Sequence, residues 1–371
     1  MVFGVRWCAG VLAGAVAAGL LWTAPAAADD GESPDGAAQE QQALDQAEET
    51  GEPVEIVSAT DERSQVFANP DGTFTLQTHP SPVRVRTGGG WRDVDTTLVR
   101  ADDGTVRPRA TAADLVFSGG GDDALARVSL GGRSVALDWL GALPEPVLEA
   151  DRATYPEVLP DVDLVVSAGV DGFTQVLVVR TAEAAANPAL AQLDLPVQGT
   201  GVTIEADETG NLDAVTPEGE SVFVASAPAM WDSSGQDGQG DTGAAARALA
   251  PATGARMEQV PTEVVDGALR LRPDQEMLTD EATTYPVFID PSVSVKREAW
   301  AYVDKRFPTT AYYNKSDADS GVGYEPQYGH TKRVFWRFSV YERTRNATIR
   351  SATLRTEVAH AFGCTDARVE L

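Results

Sequence analysis

The sequence predicts an all-β protein, an antiparallel β-sandwich-like domain followed by the truncated start of a second β-sandwich. Three observations carry this. Short apolar runs alternate with a period of two, as half-buried strands do. Turn signals separate them at roughly ten-residue spacing, the rhythm of a sandwich or barrel. Only one stretch of the body, Ala182 to Leu193, has a helical pattern, and Asn187-Pro188 divides it.

Composition narrows the class. A chain of 371 residues can bury substantial cores and suggests about two domains. The hydrophobic share of 43% is ordinary, but the formal net charge of -27 is not. Such an excess of carboxylates repels polyanions, so no nucleic-acid partner is expected for most of the chain. The charge is uneven: from Val295 onward, 13 Lys plus Arg face 9 Asp plus Glu. A border at about Val295 is expected on that ground, separating 54–294 from 295–371.

Taken in order, Arg6, the apolar run Trp7 to Trp22 and the A-x-A site Ala26-Ala27-Ala28 read as a secretory signal peptide over 1–28. The run is shorter than the roughly 20 residues of a membrane span. No later stretch is long and apolar enough, so no transmembrane segment is expected after cleavage, and the protein is placed outside the cell, secreted or at the surface. Cleavage removes Cys8 and leaves Cys364 alone, whose disulfide partner is expected beyond Leu371 in a longer polypeptide. Residues 29–53 are rich in Asp, Glu, Gln and Ala with only Leu44 to anchor a helix, and read as a disordered acidic leader.

From Val54 the strand rhythm begins, punctuated by Asn69-Pro70-Asp71-Gly72, Gly88-Gly89-Gly90, Asp103-Gly104, Gly119-Gly120-Gly121 and Gly131-Gly132. Thr73 to Thr78, Val83 to Arg86, Trp91 to Asp95, Ala126 to Leu130 and Ser134 to Trp139 are the strands between them. A hairpin, Val162 to Ala168 and Phe173 to Val179, stands out. Val162, Leu164, Val166 and Ala168 share one face, and Val176 and Val178 make the second strand apolar on both faces, so the hairpin belongs at the centre of a sheet with cover on each side. Gly201 to Ala206, Asn211 to Thr216 and Ser221 to Ala225 follow, then a polar, flexible excursion over 234–255. Thr262 to Val265, Ala268 to Arg272 and Thr284 to Ile289 return to the same domain. The last segment, 295–371, is aromatic and basic, and Arg333 to Val340 alternates as a strand.

Candidate chemistry is sparse. Trp300, Tyr302, Tyr312, Tyr313, Tyr324 and Tyr328 make the last segment dense in rings, and exposed rings stack on sugar faces. A carbohydrate or cell-wall polymer is the ligand class this points to; the plainer reading is that the rings pack loops and Trp336 and Phe338 are core. Arg333 and Arg337 share a strand face that suits an anionic polymer or simply water. Asp317 and Asp319 are spaced as in oxygen-rich calcium loops, but the EF-hand positions for Gly and Glu hold Val322 and Tyr328, so a solvated turn fits better and no cofactor is expected, a looser calcium site there being the alternative. His79, His330 and His360 are too scattered for zinc. Gly132-Arg133-Ser134-Val135-Ala136 lies between strands and lacks the elbow of a nucleophilic serine. Carboxylate pairs such as Asp161 and Asp163, or Asp290 and Glu298, meet the minimal demand of a glycosidase; in so acidic a chain, turn and strand-end roles explain them better. No catalytic residue is assigned, and the chain is expected not to be an enzyme.

Several short motifs resemble a family of large exported actinobacterial proteins, in which a β-rich N-terminal region precedes DNRLRE-type, LamG-type or YD-repeat (Rhs-like) modules. They are Ala68-Asn69-Pro70-Asp71-Gly72-Thr73, Gly90-Trp91, Leu159-Pro160-Asp161-Val162-Asp163-Leu164, Ala229-Met230-Trp231-Asp232-Ser233 and Tyr285-Pro286 with Ile289-Asp290-Pro291. From Trp300, Tyr302-Val303, Arg333 to Phe338 and Ile349 to Leu354 resemble the start of a DNRLRE-like β-sandwich over 295–371. The resemblance implies a non-catalytic exported scaffold or binding region, acting with further modules of the same longer chain. The alternative it implies is the delivery or encapsulation segment of a polymorphic toxin; a secreted hydrolase ranks last.

Overall fold

The computed structural model describes residues 19–23, 34–88, 90–234, 251, 255–290, 292–295, 300–308, 312–313, 322–325, 330–338, 340, 344, 347–350 and 351–355. The fold is all-β and antiparallel, as the alternation predicts. Two compact units divide it, 1–93 with 336–371, and 94–335.

Within 94–335 two large sheets form the layers of a sandwich. One runs in the order Thr262–Val265, Ala268–Leu271, Leu193–Thr200, Arg133–Leu137, Ala126–Leu130, Asp114–Phe117, Val106–Ala110, Asp95–Arg100. The other is built outward from the expected hairpin. Val162–Ala168 pairs with Gly172–Val179 in the register Val162 to Val179, Leu164 to Leu177 and Ala168 to Phe173. Gly172–Val179 then pairs end to end with two strands, Ser292–Val295 along its first half and Val287–Asp290 along its second. Both neighbours of this strand are thus occupied along its length.

Period-two alternation sorts the hairpin's side chains between two apolar environments. Leu164, Val166, Phe173, Leu177 and Val179 join Leu115, Phe117, Val128, Val135 and Leu137 from the facing sheet in one core. Phe117 meets Phe173 edge to face, centroids 5.9 Å apart. Val165, Val176 and Val178 turn to the opposite face and pack with Trp231, Phe288 and Met257. Val178, Phe288, Trp231 and Met257 are consecutive cross-strand partners, so this second cluster is a row across the sheet. Trp231 and Phe288 stack with centroids 5.7 Å apart. The divided helix is shorter than its pattern: Ala182–Ala185 is α-helical, Pro188–Ala191 is a 3₁₀ turn, and together they contribute Ala184, Ala185 and Leu190 to the main core.

The base of the polar excursion is clasped. Asp232 is buried and its carboxylate accepts from Ser234 N (3.1 Å), Arg256 N (3.0 Å) and Thr284 N (3.2 Å) and from the Ser234 hydroxyl. Ser233 donates its hydroxyl to the Pro286 carbonyl at 2.6 Å. Residues 235–250 and 252–254 lie outside the described residues. Among the described residues a smaller four-stranded sheet joins Tyr312–Tyr313, Trp300–Asp304, His330–Trp336 and Gly323–Glu325.

In the other unit, Ser64–Ala68 and Thr73–Thr78 form a hairpin whose turn explains its motif. The Asp71 carboxylate accepts from the amide (3.1 Å) and hydroxyl (2.6 Å) of Thr73, while Asn69 donates to the Thr73 hydroxyl at 2.9 Å. These bonds hold the Asp71 carboxyl below its ordinary range, the Thr73 hydroxyl contributing most. The Asp103-Gly104-Thr105 turn in the unit 94–335 repeats the device. Gly19–Thr23 pairs with Thr73–Thr78 on its other edge; residues 1–18 and 24–33 lie outside the described residues.

Two expectations differ from what is found. Residues 29–53 contain a helix, Pro34–Thr50, which buries Ala43 and Ala47 against Ile56, Val66, Phe74 and Leu76. Two alanines four residues apart let the helix lie close to the sheet, with Leu44 packed beside them, and Gly51, at φ 71°, ends it by returning its amide to the Ala47 carbonyl (2.9 Å). The charge border near Val295 falls inside a core strand, since Val295 is buried and pairs with Phe223. Charge reports the solvent-facing side chains and misses an inward valine.

Candidate functional site

The expected stacking residues are separated by strand alternation. Tyr302 is buried, 7% exposed, on the same strand face as the buried Asp304, with Lys332 Nζ 5.5 Å from its ring centroid. A sugar ring has no access there, so Tyr302 leaves the stacking set. Tyr324, 69% exposed, lies opposite Thr331 at the sheet edge, and Phe335 and Arg333 are exposed as well. Trp300 and the Tyr312–Tyr313 pair lie in strands of this sheet, but their side chains fall outside the described residues, as do Tyr328, Asp317, Asp319 and Cys364. Among the described residues no group of three or more His, Cys, Asp or Glu is placed to hold a metal ion, and no helix is long and apolar enough to cross a membrane.

The carboxylates Asp161 and Asp163 converge on a cation. Arg180 lies 3.0 Å from Glu157, 3.5 Å from Asp163 and 3.7 Å from Asp161, and Asp163 also accepts from the Glu157 amide at 2.9 Å. Glu157 and Asp161 both adopt positive φ, 52° and 56°, the first inside the bulge between Tyr155 and Leu159 and the second just past it. The Leu159-Pro160-Asp161-Val162-Asp163 motif is therefore an ion-paired turn. Asp290 is buried in the core sheet, and Glu298 lies outside the described residues.

A groove in the unit 1–93 with 336–371 was not singled out by sequence reasoning. It measures about 320 Å³ and is lined by Gln39, Val57, Ser58, Thr60, Arg86 and Trp91. Arg86 and Trp91 are cross-strand partners in the hairpin Arg84–Thr87 with Gly90–Asp93, and the Arg86 guanidinium stacks over the indole, 5.8 Å from its centroid. Gly90 begins the second strand at φ 113°, a conformation that glycine adopts without strain. Two residues before Arg86, Arg84 is neutralised by Glu55 at 3.0 Å, a carboxylate that also accepts from Thr60 (2.7 Å) and Gln65 (3.2 Å). Among the described residues no carboxylate pairs with Arg86. The available signal was an arginine and a tryptophan flanking Gly88-Gly89-Gly90, which predicts the hairpin but not the groove beneath it.

No family model matches the chain, and no solved structure matches it. It is similar to curated proteins of Bacillus. The tRNA(Glu)-specific nuclease WapA of Bacillus subtilis subsp. natto and the tRNA nuclease WapA of Bacillus subtilis strain 168 are each 26% identical over 226 residues. The tRNA3(Ser)-specific nuclease WapA of Bacillus spizizenii is 25% identical over the same length. Each match covers 58% of this chain and 9% of the relative. The expectation that this is not an enzyme is thereby corrected: the relatives are named as nucleases. The hydrolytic constellations named from sequence lie within these 371 residues, whereas the relatives' names belong to polypeptides of which the match covers 9%.

Proposed function

We propose that this chain is a β-rich segment of a WapA-like, exported tRNA nuclease, and that it serves the delivery of the nuclease rather than the choice of tRNA. One observation carries the reading. Nucleases named for two different substrates, tRNA(Glu) and tRNA3(Ser), resemble this chain equally, at 26% and 25% over 226 residues. A region that selected the tRNA would not be shared so evenly. The charge of -27 supports the same division, because an acidic surface repels tRNA. The signal-like run before Asp29 and the resemblance to YD-repeat proteins favour export and the delivery segment of a polymorphic toxin.

The test compares the complete gene product with a version lacking 94–295, both as purified protein on total tRNA and in producing cells mixed with a susceptible competitor. The deletion is expected to leave cleavage in the tube and to abolish cleavage of the competitor's tRNA. Unchanged cleavage inside the competitor would remove the delivery role.

A further inference from the structure

We propose that the groove beside Arg86 and Trp91 binds a saccharide unit carrying one anionic group, a carboxylate or a phosphate. This goes beyond the delivery reading and does not depend on it. The guanidinium carbon of Arg86 lies over the Trp91 indole, 5.8 Å from its centroid, and among the described residues no acid pairs with it. A guanidinium held by a ring face rather than by an acid still has N–H donors to offer, in the fork geometry that suits a carboxylate or phosphate. Arg84, on the same strand face, shows the contrast, because Glu55 already takes its charge. The rest of the lining suits a sugar ring. Val57, 61% exposed, offers an apolar wall, while Gln39 and Ser58 offer amide and hydroxyl groups for ring hydroxyls.

Size and charge narrow the choice. The volume of about 320 Å³ sits at the lower end of small-ligand pockets, which start at roughly 300 Å³, so one sugar ring fits. A nucleotide is disfavoured, because Arg86 lies over the indole face that a base would stack on.

Calorimetry on the full chain tests this with glucuronate, glucose 6-phosphate, glucose, inorganic phosphate and adenosine monophosphate as probes. Glucuronate, glucose 6-phosphate or both should bind more tightly than glucose, phosphate and the nucleotide. Arg86→Gln should weaken the acidic sugars about tenfold or more, the scale of a charge-assisted hydrogen bond, and leave glucose unchanged. Arg86→Lys, which keeps the charge, should recover part of the loss, and thermal melts of both variants should match the parent. Equal binding of glucose and the acidic sugars, preference for the nucleotide, no effect of Arg86→Gln, or no binding of either acidic sugar would each overturn the proposal.

Discussion

The Tyr155 hydroxyl donates a 2.7 Å hydrogen bond to the Ser118 carbonyl, joining a strand of one core sheet to the chain leaving a strand of the other. Tyr155 is fully buried, so the bond lies where water cannot replace it. Tyr155→Phe should leave the carbonyl unsatisfied and cost about 1–3 kcal/mol in urea denaturation.

The same pair sets an alkaline limit. Burial pushes the Tyr155 phenol far above its ordinary value, with the Arg100 charge opposing. A raised value in the fold means the unfolded chain loses this proton first. Stability should hold up to about pH 10, the ordinary phenol value, and fall above it as the unfolded phenol ionises. Parent and Tyr155→Phe denaturation midpoints should converge across that range.

His79 acts in the acid range. It is buried, and desolvation, aided by the Arg84 charge, holds its imidazole below the usual histidine range of about 6.5. Here the unfolded chain takes up the proton first. Stability of the surrounding unit should be full above pH 6.5 and decline as pH falls through that value toward the lower folded one. A ring titration by NMR should give a midpoint under 6.5.

Phe288 and Trp231 form the outer cluster of the core sheet. Phe288→Ala should cost about 3–5 kcal/mol, the range for deleting a buried aromatic ring, and should diminish the near-ultraviolet circular dichroism of Trp231. An exposed outer face would show a loss below 1 kcal/mol.

Asp232→Ala should strand the amides of Arg256 and Thr284, which donate to its buried carboxylate. The expected cost is roughly 2–4 kcal/mol, from more than one unmade hydrogen bond. Amide exchange should accelerate first at Arg256 and Thr284.

The fold was largely legible because its strands alternate. Val162 to Val179 shows both the pairing and the second apolar face that Trp231 and Phe288 cover. Strands at Val106–Ala110 and Arg152–Leu159 were not legible, since Pro108 and Pro156 interrupt their patterns. The tripeptide Thr154-Tyr155-Pro156 recurs as Thr284-Tyr285-Pro286, and in both the tyrosine hydroxyl donates to a backbone carbonyl, Tyr155 to Ser118 and Tyr285 to Leu278 at 2.5 Å. The groove at Arg86 was hidden because it draws on a helix, a 3₁₀ turn and a hairpin up to 52 residues apart, from Gln39 to Trp91. No local spacing encodes such a meeting.

The most direct measurement is an exchange. The 226-residue region shared with the tRNA(Glu)-specific WapA is replaced in that nuclease by its counterpart from this chain, and cleaved tRNAs are sequenced from competitor cells. tRNA(Glu) should remain the target with delivery retained. A shift to another tRNA, following the exchanged region, would contradict it.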